Sequence, residues 1–135
     1  MPIQQLINRE PDYRDLDLDF FAHPSTKDVQ KKSGAEAIKR SVRNLIFTNF
    51  YDRPFQSYIG SDVRALLFEN ANPFTAVLLQ DAIITCLRNF EPRVTVSNVV
   101  VTEDIDNHAY NARIEYVILN KELPVIQTIF LERIR

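Results

Sequence analysis

Between Tyr110 and Ile118 the chain alternates with a period of two. Tyr110, Ala112, Ile114, Tyr116 and Ile118 are apolar, and Asn111, Arg113 and Glu115 stand between them. Side chains on a strand point alternately to opposite faces, so this segment must lay one face on a core and turn the other outward. It needs strand partners and a cover, and the rest of the chain has to supply both. A Val-rich stretch, Val94 to Thr102, precedes it, and Pro124 to Ile134 follows it. The loops around Asp104–His108 and Asn120–Glu122 are short enough for consecutive hairpins, which predicts a three-stranded antiparallel meander.

The cover comes from upstream, where the period changes to that of a helix. Ser33 and Glu36 have capping-box spacing. Ile38, Val42, Leu45 and Ile46 then recur on one helical face, with Lys39, Arg40 and Arg43 off it. This helix should end by Arg53, because Pro54 cannot continue it. A short second helix is expected over Asp62–Glu69. A third starts at Asn72-Pro73, with Asn72 as its cap and Pro73 at its first position. Its expected apolar stripe is Val77, Leu79, Ile83, Ile84, Leu87 and Phe90, with Gln80, Asp81, Thr85 and Arg88 opposite. Pro92 stops it. Residues 1–32 read as an irregular arm. In it Asp12, Asp15, Asp17 and Asp19 interleave with Leu16 and Leu18, and the run to Phe20 suits an edge strand or an extended segment. His23-Pro24-Ser25-Thr26 reads as a turn. The predicted organisation is an arm over 1–32 and one α+β domain over 33–135, with about three helices packed on a C-terminal antiparallel meander.

Composition narrows the function classes. The net charge of −2 gives no electrostatic reason to expect nucleic acid or an anionic membrane as partner. Only two glycines occur, Gly34 and Gly60, which excludes a Gly-rich phosphate loop. A single cysteine, Cys86, allows no internal disulfide. The first ten residues lack the pattern of a signal peptide, and no run approaches the ~20 apolar residues of a membrane span. The expectation is a soluble protein of the cytoplasm, unless a larger assembly carries it out.

Candidates for chemistry are few. Cys86 lies in a mostly apolar helix and reads as core, with no base to activate it. His23 reads as a surface turn residue. Asp104, Asp106 and His108 could converge on a cation, but a solvated hairpin loop has the same composition. Glu69 and Glu91 flank the third helix and could serve a glycosidase only if held ~5–9.5 Å apart. Neither a catalytic set, a metal nor a cofactor is expected. Glu91-Pro92-Arg93 stands out more: proline stiffens the backbone between opposite charges at a helix-to-strand corner. It reads either as a docking point or as a helix stop with two exposed charges. Arg53-Pro54-Phe55 has the same ambiguity.

Taken in order, several short motifs resemble one family. They are Asp15-Leu16-Asp17, His23-Pro24, Ala37-Ile38-Lys39, Arg53-Pro54-Phe55, Gly60, Leu67-Phe68-Glu69-Asn70 and Asn89-Phe90-Glu91-Pro92-Arg93. Their order and spacing are similar to the baseplate wedge, or lysozyme-like, family of contractile-tailed bacteriophages, whose relatives include a baseplate component of type VI secretion systems. Lys27 departs from the pattern, since the family often has glycine after the His-Pro turn, and this bears on the turn's geometry. The resemblance implies a virion protein of the tail baseplate, assembled in the host cytoplasm and present in several copies. It implies docking of Glu91, Pro92 and Arg93 on the helical core bundle of the wedge, and a template for the first ring of sheath subunits. A lysozyme-like hydrolase and the equivalent subunit of a secretion machine are the alternatives. Arg93 beside Glu91 should keep that carboxylate ionised and unsuited to act as a general acid.

The last predicted strand carries the template reading. Ile126, Thr128, Phe130 and Ile134 fall on one side; Val125, Ile129 and Leu131 fall on the other, with Gln127 and Arg133. Both sides are apolar, and the end of a meander is a sheet edge with free N–H and C=O groups. Ile126, Thr128 and Phe130 are therefore expected to meet a sheath subunit by strand addition. The other reading is an ordinary internal strand buried by the chain's own arm.

Overall fold

The computed structural model describes residues 13–133, so Asp12 and Ile134 lie outside the described residues. The chain divides into two units, 1–38 and 39–135. In the first, β1 (Arg14–Leu16) pairs antiparallel with β2 (Lys31–Ser33), and α1 (Gly34–Phe47) begins. The predicted alternation from Asp15 to Phe20 is strand only as far as Leu16. Asp17 is buried, and its carboxylate accepts the Asp19 N–H at 3.3 Å and lies 3.9 Å from the Lys32 ammonium. That local bond turns the chain out of the ladder. The His23-Pro24 turn forms as expected: the Lys27 N–H donates to the His23 carbonyl at 2.9 Å, and His23 N–H to the Asp28 carbonyl at 2.7 Å. Lys27 closes it with φ 56°, the left-handed conformation glycine adopts without strain.

The second unit holds the rest of α1, then α2 (Val63–Leu66), α3 (Pro73–Phe90), β3 (Val94–Asp104), β4 (Ala109–Ile118) and β5 (Pro124–Glu132). On α1 the predicted stripe is buried: Ile38, Val42, Leu45 and Ile46. The helix stops at Phe47, before Pro54 forbids it. The Thr48 hydroxyl donates to the Asn44 carbonyl at 2.6 Å, and the Ser61 hydroxyl takes the Ile46 carbonyl at 2.7 Å. These donors replace the next turn of the helix. Gly60 is required here, because a Cβ would sit 2.5 Å from the Asn49 and Phe50 backbone. The second helix is shorter than predicted. After Leu66 the chain continues in three-residue turns, with Phe68 N–H to Ala65 at 3.2 Å and Glu69 N–H to Leu66 at 3.1 Å.

Asn72 caps α3 through its side-chain oxygen, which accepts the Thr75 N–H at 2.8 Å. The buried stripe of α3 is Thr75, Leu79, Ile83, Cys86 and Leu87. This corrects the expectation for Val77, which is 53% exposed. A cap holding Thr75 in the first turn fixes the rotation, and Val77 lies off the face that 75, 79 and 83 share. α3 packs on β3, and α2 on α3.

β3, β4 and β5 form the predicted meander in that order, all antiparallel. Tyr110, Ala112, Ile114, Tyr116 and Ile118 are all buried on its inner face, opposite Val94 and Val99 of β3 and Ile129 and Leu131 of β5. Burying such side chains is worth about 1.5–3 kcal/mol each for the larger ones. A bulge at Ser97, between Val96 and Asn98, lets Val94 and Val99 share that face although they stand five positions apart, an odd spacing.

Candidate docking surface

The corner after α3 is built from two backbone bonds and a clamped carboxylate. The Glu91 N–H completes the helix by donating to the Leu87 carbonyl at 3.0 Å, and the Arg93 carbonyl accepts the Leu119 N–H at 2.9 Å. Pro92 between them is exposed. Glu91 itself is buried, with 2% of its surface accessible. Its two oxygens take a two-point clamp from Arg93, Nε to Oε1 at 2.6 Å and a terminal nitrogen to Oε2 at 2.9 Å. The Ser41 hydroxyl of α1 donates to Oε2 at 2.5 Å. Burial works to raise the Glu91 pKa. The Arg93 and Ser41 hydrogen bonds and the guanidinium charge outweigh it, and the carboxyl titrates below its ordinary 4.5.

Neither sequence reading of the corner is complete. The charges are not simply exposed, and the carboxylate is not turned to solvent: its oxygens are engaged inside the domain. Ser41 was missing from the sequence reading. Its signal is a polar residue directly beside the apolar stripe, three positions from Ile38 and one from Val42.

The same helix is tied to β5. Gln127 donates from Nε2 to the Lys39 carbonyl at 3.1 Å and accepts the Tyr116 hydroxyl at 3.1 Å. That explains one polar residue in an inward row. The outward row of β5 is Ile126, Thr128 and Phe130. All three are exposed, Ile126 at 50% and Phe130 at 49%. Among the described residues β5 pairs with β4 alone, and its other edge has no strand partner there.

The remaining candidates do not gather into a site. Cys86 is buried, and burial pushes its thiol up to about 11. Glu69 and Glu91 stand at opposite ends of α3, whose 18 residues span about 27 Å, far beyond the reach of a carboxylate pair. Asp104 accepts the Asn107 backbone N–H at 3.3 Å and side-chain amide at 2.9 Å, which hold its pKa down and shape the loop. Among the described residues no three His, Cys, Asp or Glu side chains are placed to hold a metal ion. No helix there is long and apolar enough to cross a membrane.

Three comparisons bear on this geometry. A family model described as baseplate wedge protein gp25 matches residues 32–122, which takes in the three helices, β3 and β4 and stops before β5. The baseplate wedge protein gp25 of Enterobacteria phage T4 is 33% identical over 94 residues, covering 70% of this chain and 71% of that protein. Among solved structures, a chain of the anti-feeding prophage baseplate aligns with a TM-score of 0.63 at 18% identity, covering 92% of this chain and 88% of its own. A Geobacter sulfurreducens protein named as a tail lysozyme aligns with a TM-score of 0.61 at 21% identity, covering 72% and 90%. At these identities the two structures speak for the fold alone. The extent of the family match and the T4 relative decide the question: the chain belongs to the gp25 baseplate wedge family.

Proposed function

We propose that this baseplate wedge protein docks on the core of the wedge at the Glu91-Pro92-Arg93 corner and offers β5 to the first sheath subunits. The observation that carries the reading is the open edge of β5. It is a regular strand of nine residues, paired on one side among the described residues, with the apolar Ile126 and Phe130 outward. Such an edge takes up another chain by main-chain hydrogen bonds, and alternate side chains select which chain. At the corner the buried clamp fixes the backbone, and Pro92 with the outer part of Arg93 is what a partner would meet. The implied neighbours are other wedge proteins and a sheath subunit, in a symmetric assembly of several copies. The site is the virion tail baseplate, formed in the host cytoplasm.

A hydrolase role has little support. Glu91 is held ionised by Arg93 and Ser41, so it has no proton to donate near neutral pH. Purified peptidoglycan should stay turbid with this protein. Clearing that disappears in Glu69→Gln or Glu91→Gln would overturn the non-enzymatic reading.

The docking half is tested at Pro92, because changing Arg93 would disturb the buried clamp. Pro92→Asp should melt close to wild type, yet fail to enter the baseplate. Normal incorporation of the folded variant removes the corner from the interface.

A further inference from the structure

Beside α3 runs a groove that no part of the proposed docking or template surface uses. Its first concavity, about 330 Å³, lies between α3 and the turn at Gly60–Asp62, with Phe50 and Phe90 as aromatic walls. A second, about 740 Å³, adjoins it through Phe50, Ser61 and Asp62 and continues to Tyr51, Phe68 and Arg64. One end of the groove therefore stands at Phe90, the residue before Glu91.

The charges in it are uneven. Asp62 and Asp81 both line the first concavity, and no Lys or Arg does. Both are exposed, and neither carboxylate has a hydrogen-bond or ion-pair partner among the described residues. Asp62 occupies the N-cap position of α2, yet its side chain makes no cap bond. With φ −89° and ψ 5° the residue lacks the extended backbone of a capping residue, and its carboxylate is left uncommitted. The one base, Arg64, belongs to the far concavity.

We infer that this groove receives a segment of a neighbouring baseplate protein in which a Lys or Arg is flanked by apolar residues. The inference rests on the docking reading and extends it, since the groove is lined by Phe90, the residue that precedes the Glu91-Pro92-Arg93 corner in the chain. The basic head reaches Asp62 and Asp81, where a cation gains charge-assisted hydrogen bonds. Its aliphatic stem lies along Phe50 and Phe90, as long basic side chains do on apolar walls. Arg64 disfavours the same head at the far end and so sets the direction of the segment.

The test uses the full chain in assembled baseplates, with a photo-crosslinking amino acid at Thr85, which is exposed and lines the groove, or at Pro92. Both probes should capture the same partner, and the Thr85 adduct should map to a Lys- or Arg-containing apolar segment. Asp62→Lys with Asp81→Lys should melt like wild type and lower the Thr85 adduct about tenfold. Changing the captured basic residue to Glu should restore it. An adduct at Pro92 with none at Thr85, or a Thr85 adduct on an acidic segment, overturns the groove assignment and leaves corner docking standing. A Thr85 adduct of the expected kind without one at Pro92 supports the groove and overturns the corner. Absence of both overturns both.

Discussion

The corner at Glu91 and the edge at β5 are built in opposite ways. At the corner the carboxylate is buried, clamped at two points by Arg93 and bonded to Ser41 of α1. At β5 the outward row is exposed, and among the described residues one edge of the backbone has no strand partner. A buried charge with its partners in place fixes geometry, and it is costly to disturb. An open strand edge does little for the isolated fold and is suited to adhesion. Sensitivity to mutation should therefore concentrate at the corner's interior, and the outward row of β5 should tolerate change in the isolated protein.

The sharpest way to break that comparison is at Arg93. The sequence alone suggests that Arg93→Glu stays folded and only loses docking. The clamp predicts otherwise, because a second carboxylate would face a buried one. The cost should be about 3 kcal/mol or more, about 10 °C in melting temperature for a domain of this size. A wild-type melt for Arg93→Glu would show that the clamp does not matter to the fold.

Two neighbouring faces of β5 give the next largest contrast. Ile129→Ala, on the buried side, should cost about 2–4 kcal/mol in denaturant unfolding. Ile126→Ala, half exposed, should cost less than about 1 kcal/mol. Equal losses would mean that the outward row is already covered in the isolated protein.

A smaller effect comes from acid. Glu91 has a folded pKa below 4.5, so its stabilising contribution is present above that value. It is lost as pH falls from there through the lowered folded value. Ser41→Ala should remove about 1 kcal/mol at neutral pH and shift the acid transition of unfolding upward. An acid transition that stays in place would take Ser41 out of the clamp.

The smallest effect is at Lys27. Glycine relieves the left-handed backbone but adds freedom to the unfolded chain, so Lys27→Gly should raise stability by less than about 1 kcal/mol. A loss greater than that would mean that the lysine side chain holds the turn.

Much of the fold was legible in sequence because its signals are local. The alternation from Tyr110 to Ile118 and the Asn72-Pro73 start of α3 each follow from a few adjacent residues. The bulge at Ser97 was not read, because Val99, Val100 and Val101 stand in a row and hide the slip in the period of two. Nor was the rotation of α3. Val77 and Leu79 are equally apolar, and the choice between them is made by the Asn72–Thr75 cap and by packing on β3. The corner was legible as a motif but not as a clamp, since Ser41 is 50 positions away from Glu91. β5 was legible only as two apolar faces; which one is buried depends on α1, through Gln127 and Lys39.

Whether β5 starts the sheath, as proposed, is decided at its backbone donors. Neighbouring backbone N–H groups of a strand point to opposite edges, so proline at Thr128 and, separately, at Ile129 removes one donor toward β4 and one toward the open side. One of the two variants should fold and enter the baseplate, and no sheath should grow on it. Unfolding of both, or full-length sheath on the folded one, would contradict the proposal.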